Sequence, residues 1–180
     1  MTTQEKALEI YRRLHKAMPN PKVELLFTTP FELLVATILS AQCTDKLVNT
    51  VTPALFSKYP TIQSYCDATA EDIDTMITKI NFHSNKAKNI QGSAKMIIEK
   101  YKGVLPQTME ELDALPGVAR KTANVVLGSA FGITSGIVID THGIRLSNKF
   151  GLTTQKDPVK IEKDLMKLIP KEAWIDFGHL

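Results

Sequence analysis

Cysteine is scarce in this sequence, where only Cys43 and Cys66 occur among 180 residues. Two isolated cysteines are too few for a disulfide framework or for a cysteine-based metal site. Both lie in stretches that favour helix, so we expect two thiols in the core or just below the surface. The sequence therefore predicts no metal ligands in this chain.

Long apolar runs are also missing, because no segment approaches the roughly 20 apolar residues that a helix needs to cross a bilayer. Residues 1–6 lack the basic stretch, followed by an apolar stretch, that marks a secretion signal. We therefore expect an intracellular protein that makes no contact with a membrane.

Neither sign of charge dominates, since the formal net charge is only +3. This balance permits a polyanionic partner, but a slightly basic surface explains it equally well. Hydrophobic residues make up 43% and charged residues 23%, which are ordinary proportions for a soluble globular chain. A chain of 180 residues can bury a core in one domain or in two small ones.

Start and stop signals for helices recur along the whole chain. Thr29 and Glu32 form a capping box around Pro30, and Gly103 and Gly132 follow helical stretches as stop signals. The pattern predicts helices over 4–17, about 30–39, 45–59, 70–78, 84–101, 108–114 and 120–131, with two more after Asp140 and Asp157. Only 137–139 is strand-like, and we expect a buried extended connector there. The predicted class is all-α.

The stretch from Leu115 to Ala119 reads Leu-Pro-Gly-Val-Ala and separates two predicted helices. Gly117 can adopt a positive φ and allows another backbone to approach closely. The amides of Gly117, Val118 and Ala119 would point outward at a helix N-terminus, where they can bind a phosphate. Leu115 and Val118 would anchor the turn to the core. The alternative is an ordinary turn between packed helices.

Lys121 and Asp140 are the candidate catalytic pair. Most lysines are solvated surface residues, but Lys121 follows Arg120 in the first turn of a predicted helix. A neighbouring cation and a helix N-terminus both favour the neutral amine, which is a competent nucleophile. Asp140 precedes another predicted helix, so it can act as an N-cap, and this role is compatible with a chemical one.

The string Leu-Pro-Gly-Val-Ala-Arg-Lys-Thr-Ala-Asn-Val-Val-Leu, which begins at Leu115, closely resembles the helix-hairpin-helix signature of the endonuclease III family. The family usually has a second glycine where this chain has Ala119, but alanine still offers its amide. The segment Ile139-Asp140-Thr141-His142, with Arg145, resembles the family's segment that carries the catalytic aspartate. The similarity extends from the first predicted helix to the last residue.

The resemblance implies a bifunctional DNA glycosylase and abasic-site lyase that acts on oxidised or ring-saturated pyrimidines. It implies that Lys121 attacks C1′ of a flipped nucleotide and that Asp140 assists as a carboxylate. It also implies a two-lobed helical fold, with residues 22–131 in one domain and residues 1–21 and 132–180 in the other. The expected partner is double-stranded DNA with a damaged base or an abasic site, bound by a monomer in the cytoplasm or nucleoid.

The resemblance also implies a set of DNA contacts. Gln42 would fill the gap left by the flipped nucleotide. Phe82 would be an apolar wedge, with core packing as its alternative. The full set of expected DNA-binding residues is Gln42, Asp45, Phe82, Gly117, Val118, Ala119, Arg120, Thr122, Thr141, His142 and Arg145. Further phosphate contacts are expected from Lys86, Lys88 and Lys149, each of which is otherwise plain surface charge.

The family commonly carries a four-iron cluster held by four cysteines near the C-terminus. This sequence reaches Leu180 without such cysteines, so we expect a chain that is truncated before them and holds no cluster. Three other functions remain open at this point. They are a non-enzymatic helix-hairpin-helix module, a glycosylase without lyase activity, and a helical protein-interaction domain.

Overall fold

The computed structural model describes residues 2–180, and those residues form helices without any strand. The α-helices are α1 (Thr3–Ala17), α2 (Pro30–Ser40), α3 (Asp45–Lys58), α4 (Ile62–Asp67), α5 (Ala70–Met76), α6 (His83–Tyr101), α7 (Met109–Asp113), α8 (Arg120–Phe131), α9 (Thr141–Lys149), α10 (Pro158–Leu168) and α11 (Trp174–His179). A short 3₁₀ turn, Lys171–Ala173, precedes α11. The predicted all-α class is confirmed.

Local capping explains most of the helix starts. Thr29 accepts a hydrogen bond from the Glu32 amide while the Glu32 carboxylate accepts from the Thr29 amide, so the predicted capping box opens α2. Gly103 has a φ of +78° and donates its N–H to the Ile97 carbonyl, which ends α6 as predicted. Two short helices, α4 and α11, are absent from the sequence-based prediction.

Internal contacts divide the chain into two compact units. One unit comprises Glu24–Val126, and the other comprises the chain up to Val23 together with Leu127–Leu180. The predicted boundaries between the two units are 21/22 and 131/132, whereas the internal contacts give boundaries at 23/24 and 126/127. The second boundary therefore falls inside α8. Over residues 2–180, no helix combines the length and the apolar character needed to cross a membrane.

The unit Glu24–Val126 is built around α2, whose side chains are buried on almost every face. Leu33, Leu34 and Leu39 of α2 are fully buried. α2 packs against α3 and α6, and α6 also packs against α4 and α5. A helix without a polar face needs such cover on all sides, which explains its central position.

The other unit has its own core, to which α1, α10 and the segment before α9 contribute. Ile137 and Ile139 are 1% and 8% exposed, and Val138 between them is partly buried, so two of the three residues of the predicted connector lie in the core. The core consists of Ala7, Ile137, Ile139, Leu152, Ile161, Leu165, Ile169 and Ala173. The packing fixes the chain immediately before Asp140.

Candidate catalytic residues and nucleic-acid interface

The predicted hairpin lies between α7 and α8. Leu115 and Val118 are 1% and 7% exposed, which confirms that they anchor the turn to the core. Gly117 has a φ of +75°, a conformation that side chains with a Cβ rarely adopt. The turn therefore depends on glycine at this position.

The hairpin packs closely on α6. A Cβ atom added to Gly117 would lie only 2.6–2.8 Å from side-chain atoms of Asn89. Gly92 of α6 likewise allows Pro116 to pack closely, because a Cβ at position 92 would come within 3.2 Å of the proline ring. The Ser93 hydroxyl donates to the Pro116 carbonyl at 2.8 Å. The long helix α6 is thus the platform that sets the position of the hairpin.

The amides of the hairpin do not all face outward, which corrects one expectation. The Val118 amide donates to the Leu115 carbonyl at 3.1 Å, so it is already used inside the turn. A phosphate therefore cannot rely on Val118 without breaking that bond. The candidate donors that remain are the amides of Gly117 and Ala119, two residues that are exposed.

Lys121 is the second residue of α8 and is exposed, which confirms its predicted place in the first turn of a helix. Its ammonium acts electrostatically on Asp45, the first residue of α3. Partial burial raises the pKa of Asp45 above its ordinary value, and Glu24 adds to this, while Lys121 opposes it. Within the unit Glu24–Val126 the fold thus places a carboxyl group in the field of the candidate nucleophile.

Asp140 is the N-cap of α9, as the sequence indicates. Its Oδ1 accepts a hydrogen bond from the Gly143 amide at 2.7 Å. Thr141, His142 and Arg145 lie on the first turns of α9 and are exposed. The unit that contains α9 therefore presents the predicted carboxylate at a helix N-terminus, beside three polar or basic side chains.

Gln42 and Phe82 share an unusual backbone conformation. Their φ angles are +55° and +57°, both in the left-handed region. The Phe82 side chain is 62% exposed, so the core-packing alternative for it is wrong. The Asn81 side chain donates from Nδ2 to the Gln42 carbonyl at 2.8 Å, which joins the two turns. No local signal in the sequence indicates this arrangement, because neither glutamine nor phenylalanine favours a positive φ.

Lys86 does not have the surface position that a phosphate contact requires. Only 6% of it is exposed, and its ammonium donates to the carbonyls of Leu39 and Ala41 at 2.8 and 2.6 Å. The expectation of a phosphate contact is therefore wrong for this lysine. Lys88 and Lys149 are exposed, and their phosphate contacts stay predictions.

The comparisons with known proteins agree on one family. A family model described as HhH-GPD superfamily base excision DNA repair protein matches residues 35–171. Endonuclease III of Synechocystis sp. is 53% identical over 174 residues, which cover 97% of this chain and 80% of that protein. Endonuclease III of Bacillus subtilis is 50% identical over 162 residues, which cover 89% of this chain and 74% of that protein. The chain belongs to the endonuclease III family of the HhH-GPD superfamily.

Solved structures of endonuclease III are similar over almost the whole chain. A covalently trapped endonuclease III–DNA intermediate has a TM-score of 0.94 and 44% identity, covering 99% of this chain and 84% of that one. A thermostable thymine-DNA glycosylase, with a TM-score of 0.83 but 20% identity, shares the fold. As a member of this family the chain is a DNA-binding base-excision-repair glycosylase with abasic-site lyase activity. The family predicted from the sequence is confirmed.

The residues of this chain do not fit the four-iron cluster of the endonuclease III family. Such a cluster needs four cysteine thiolates, and the sequence contains two cysteines. Both are free, half-buried thiols, and Cys43 accepts a hydrogen bond from the Asn81 amide. Among residues 2–180, no group of three or more His, Cys, Asp or Glu side chains is placed to hold a metal ion.

Proposed function

We propose that the ε-amine of Lys121 is the nucleophile of a bifunctional glycosylase that removes oxidised or ring-saturated pyrimidines from double-stranded DNA. The observation that carries this assignment is the place of Lys121, exposed in the first turn of α8 and directly after the hairpin. A phosphate held by the hairpin amides would bring the DNA backbone to this amine. The target nucleotide must leave the stack, because C1′ is otherwise out of reach.

The reaction proceeds in two stages. The nitrogen lone pair of Lys121 forms a bond to C1′ as the glycosidic bond breaks, and the base leaves with that bond's electron pair and takes up a proton. The sugar ring opens to give a Schiff base between Lys121 and C1′. Removal of a C2′ proton then expels the 3′ phosphate by β-elimination, and water releases the lysine.

Asp140 has the complementary role in this proposal. Its carboxylate accepts the proton that Lys121 loses, or stabilises the positive charge that develops on the sugar as the base departs. Its Oδ1 accepts a hydrogen bond from the Gly143 amide, which orients the carboxylate. This bond does not involve Oδ2. The buried residues Ile137 and Ile139 limit movement of the chain that leads to it. We further propose that the protein acts as a monomer inside the cell.

Borohydride trapping tests the nucleophile directly. A labelled duplex with one abasic site should give a covalent adduct with the unchanged protein and none with Lys121→Ala. Lys121→Gln should still bind the abasic duplex, because the hairpin amides remain. Lys95→Gln, at an exposed position on α6, is the matched control and should give a normal adduct.

Each competing result has a separate meaning. A normal adduct with Lys121→Ala would assign the chemistry to another amine. Base removal by the unchanged protein with neither adduct nor strand cleavage would indicate a glycosylase without lyase activity. Salt-dependent DNA binding without any reaction would indicate a binding module.

A further inference from the structure

We propose that Lys86 and Asn81 form a clamp that presents the side chains of Gln42 and Phe82 to the duplex as one preformed unit. The clamp consists of the Lys86 ammonium, the Asn81 side chain and the main-chain groups of 39–43 that they bind. Lys86 and Asn81 are then positioning residues for base excision, although neither touches the reacting atoms. The inference rests on the proposed function and on the expectation that Gln42 fills the gap left by the flipped nucleotide while Phe82 acts as an apolar wedge.

Lys86 fixes the chain just before Gln42. Its ammonium spans the C-terminal end of α2 and donates to the carbonyls of Leu39 and Ala41. These carbonyls lie where a helix has run out of amide partners and carries partial negative charge. Lys86 also approaches Cys43 Sγ at 3.9 Å, so it binds the chain on both sides of Gln42.

Burial has a clear electrostatic consequence for Lys86. Loss of solvent lowers the pKa of its ammonium, and the Cys43 thiol opposes this shift. A buried cation is stable only where its hydrogen bonds are satisfied, so the ammonium and the two carbonyls depend on each other. Removing the ammonium would leave the Leu39 and Ala41 carbonyls at the end of α2 without this donor.

Asn81 joins this turn to the one at Phe82. Its side-chain Nδ2 donates to the Gln42 carbonyl at 2.8 Å, and its backbone N–H donates to Cys43 Sγ at 3.3 Å. Phe82 follows directly, and α6 begins at His83, whose ring pairs with Asp74. The Phe82 turn is therefore held on both sides, by Asn81 before it and by the His83–Asp74 pair after it.

The left-handed backbone explains why such a clamp is needed. A positive φ is unfavourable for Gln42 and Phe82, so without support each turn would relax to other conformations. If the two turns were loose, they would lose conformational entropy when they became ordered on the duplex, and this loss would reduce the binding free energy available to distort the DNA. Turns that are already ordered avoid this loss. The clamp should therefore matter most for substrates whose base must still be unstacked.

The test compares two substrates with the same proteins. Lys86→Met keeps most of the side-chain length but removes the donors, and Lys95→Met on the same helix is the control. We expect Lys86→Met to slow single-turnover base removal from a duplex with one oxidised pyrimidine by about 10-fold, the effect of losing a charged hydrogen-bond donor. Trapping at a preformed abasic site should slow by less than about 3-fold, because its base is already gone. Asn81→Ala should act in the same direction, and it decides the matter if Lys86→Met does not fold.

Two further readouts separate positioning from simple stability. A lesion placed in a bulge, where stacking is already disrupted, should restore most of the activity of Lys86→Met. In a Phe82→Ala background, Lys86→Met should have little additional effect on base removal, because the clamp acts through the turn that carries Phe82. A purely structural role would lower both reactions equally and would be additive with Phe82→Ala.

The outcomes also separate the clamp from the proposed function. If the unchanged protein gives no trapped adduct, the proposed function fails. If it traps normally through Lys121 while Lys86→Met and Asn81→Ala match Lys95→Met on both substrates, the proposed function stands and the clamp is refuted. Equal losses on both substrates for folded variants would also refute it.

Discussion

Replacing Gly117 by alanine should both destabilise the protein and weaken its binding to DNA. The backbone contribution comes from the φ of +75°, which costs about 1–2 kcal/mol for a residue with a Cβ. The steric contribution comes from Asn89, whose atoms lie 2.6–2.8 Å from the new methyl group. One of these atoms is the Asn89 Cβ, so no rotamer change relieves the contact, and the hairpin must move away from α6.

The magnitude follows from these two contributions. Ordinary contact would require a displacement of roughly 0.7 Å, and overpacking of this kind costs about 1–3 kcal/mol. The free energy of unfolding should therefore fall by about 2–5 kcal/mol in total. The same displacement moves the Gly117 and Ala119 amides, so affinity for an undamaged duplex should fall about 10-fold, equivalent to about 1.4 kcal/mol.

Gly103→Ala is the matched control for this prediction, because it lies in the same unit and has a φ of +78°. Its added methyl group would meet only Ile98 Cδ1, at an ordinary 3.5 Å. It should therefore lose only the backbone contribution of about 1–2 kcal/mol and keep its DNA affinity. Urea unfolding and fluorescence anisotropy measure the two quantities. Equal destabilisation by both substitutions, or unchanged DNA affinity of folded Gly117→Ala, would refute the reasoning.

Three further predictions concern other parts of the chain. Asp140→Asn should keep the α9 cap, since asparagine caps about as well, but should slow base excision by about 100-fold or more; similar loss in abasic-site trapping would contradict this. Phe82→Ala should change the free energy of unfolding by less than about 0.5 kcal/mol, because Phe82 is 62% exposed. The same substitution should slow base removal more than it slows cleavage at an abasic site. A large loss of stability would contradict the surface role of Phe82. Hydrogen bonds from Arg12 and Arg13 lower the pKa of Glu9 from 4.5 to about 2, so its stabilising effect should be present above pH 4.5 and disappear as the pH falls towards 2. Thermal unfolding of Glu9→Gln across that pH range tests this, and a difference from the unchanged protein that persists below pH 2 would oppose it.

Much of this protein is determined by short-range signals in its sequence. Thr29, Glu32 and Gly103 mark helix ends through hydrogen bonds that span only a few residues, so they can be recognised without the fold. The same holds for the place of Lys121 in the first turn of α8 and for the capping role of Asp140. The hairpin string identified the family because its turn and helix start are contiguous in sequence.

Tertiary structure decided the features that depend on distant parts of the chain. Gln42 and Phe82 both have a positive φ, and the Asn81 side chain next to Phe82 bonds to the Gln42 carbonyl, 39 residues away. Lys86 is buried because its ammonium reaches the end of α2, 47 residues before it, where the carbonyls lack amide partners. The sequence pattern alone predicts that a lysine such as Lys86 is a surface charge. Only the packing of α6 on α2 places its ammonium where it can cap a helix end. Local sequence determines which residues can form helices, turns and caps, whereas long-range packing determines which polar groups are left available to bind DNA.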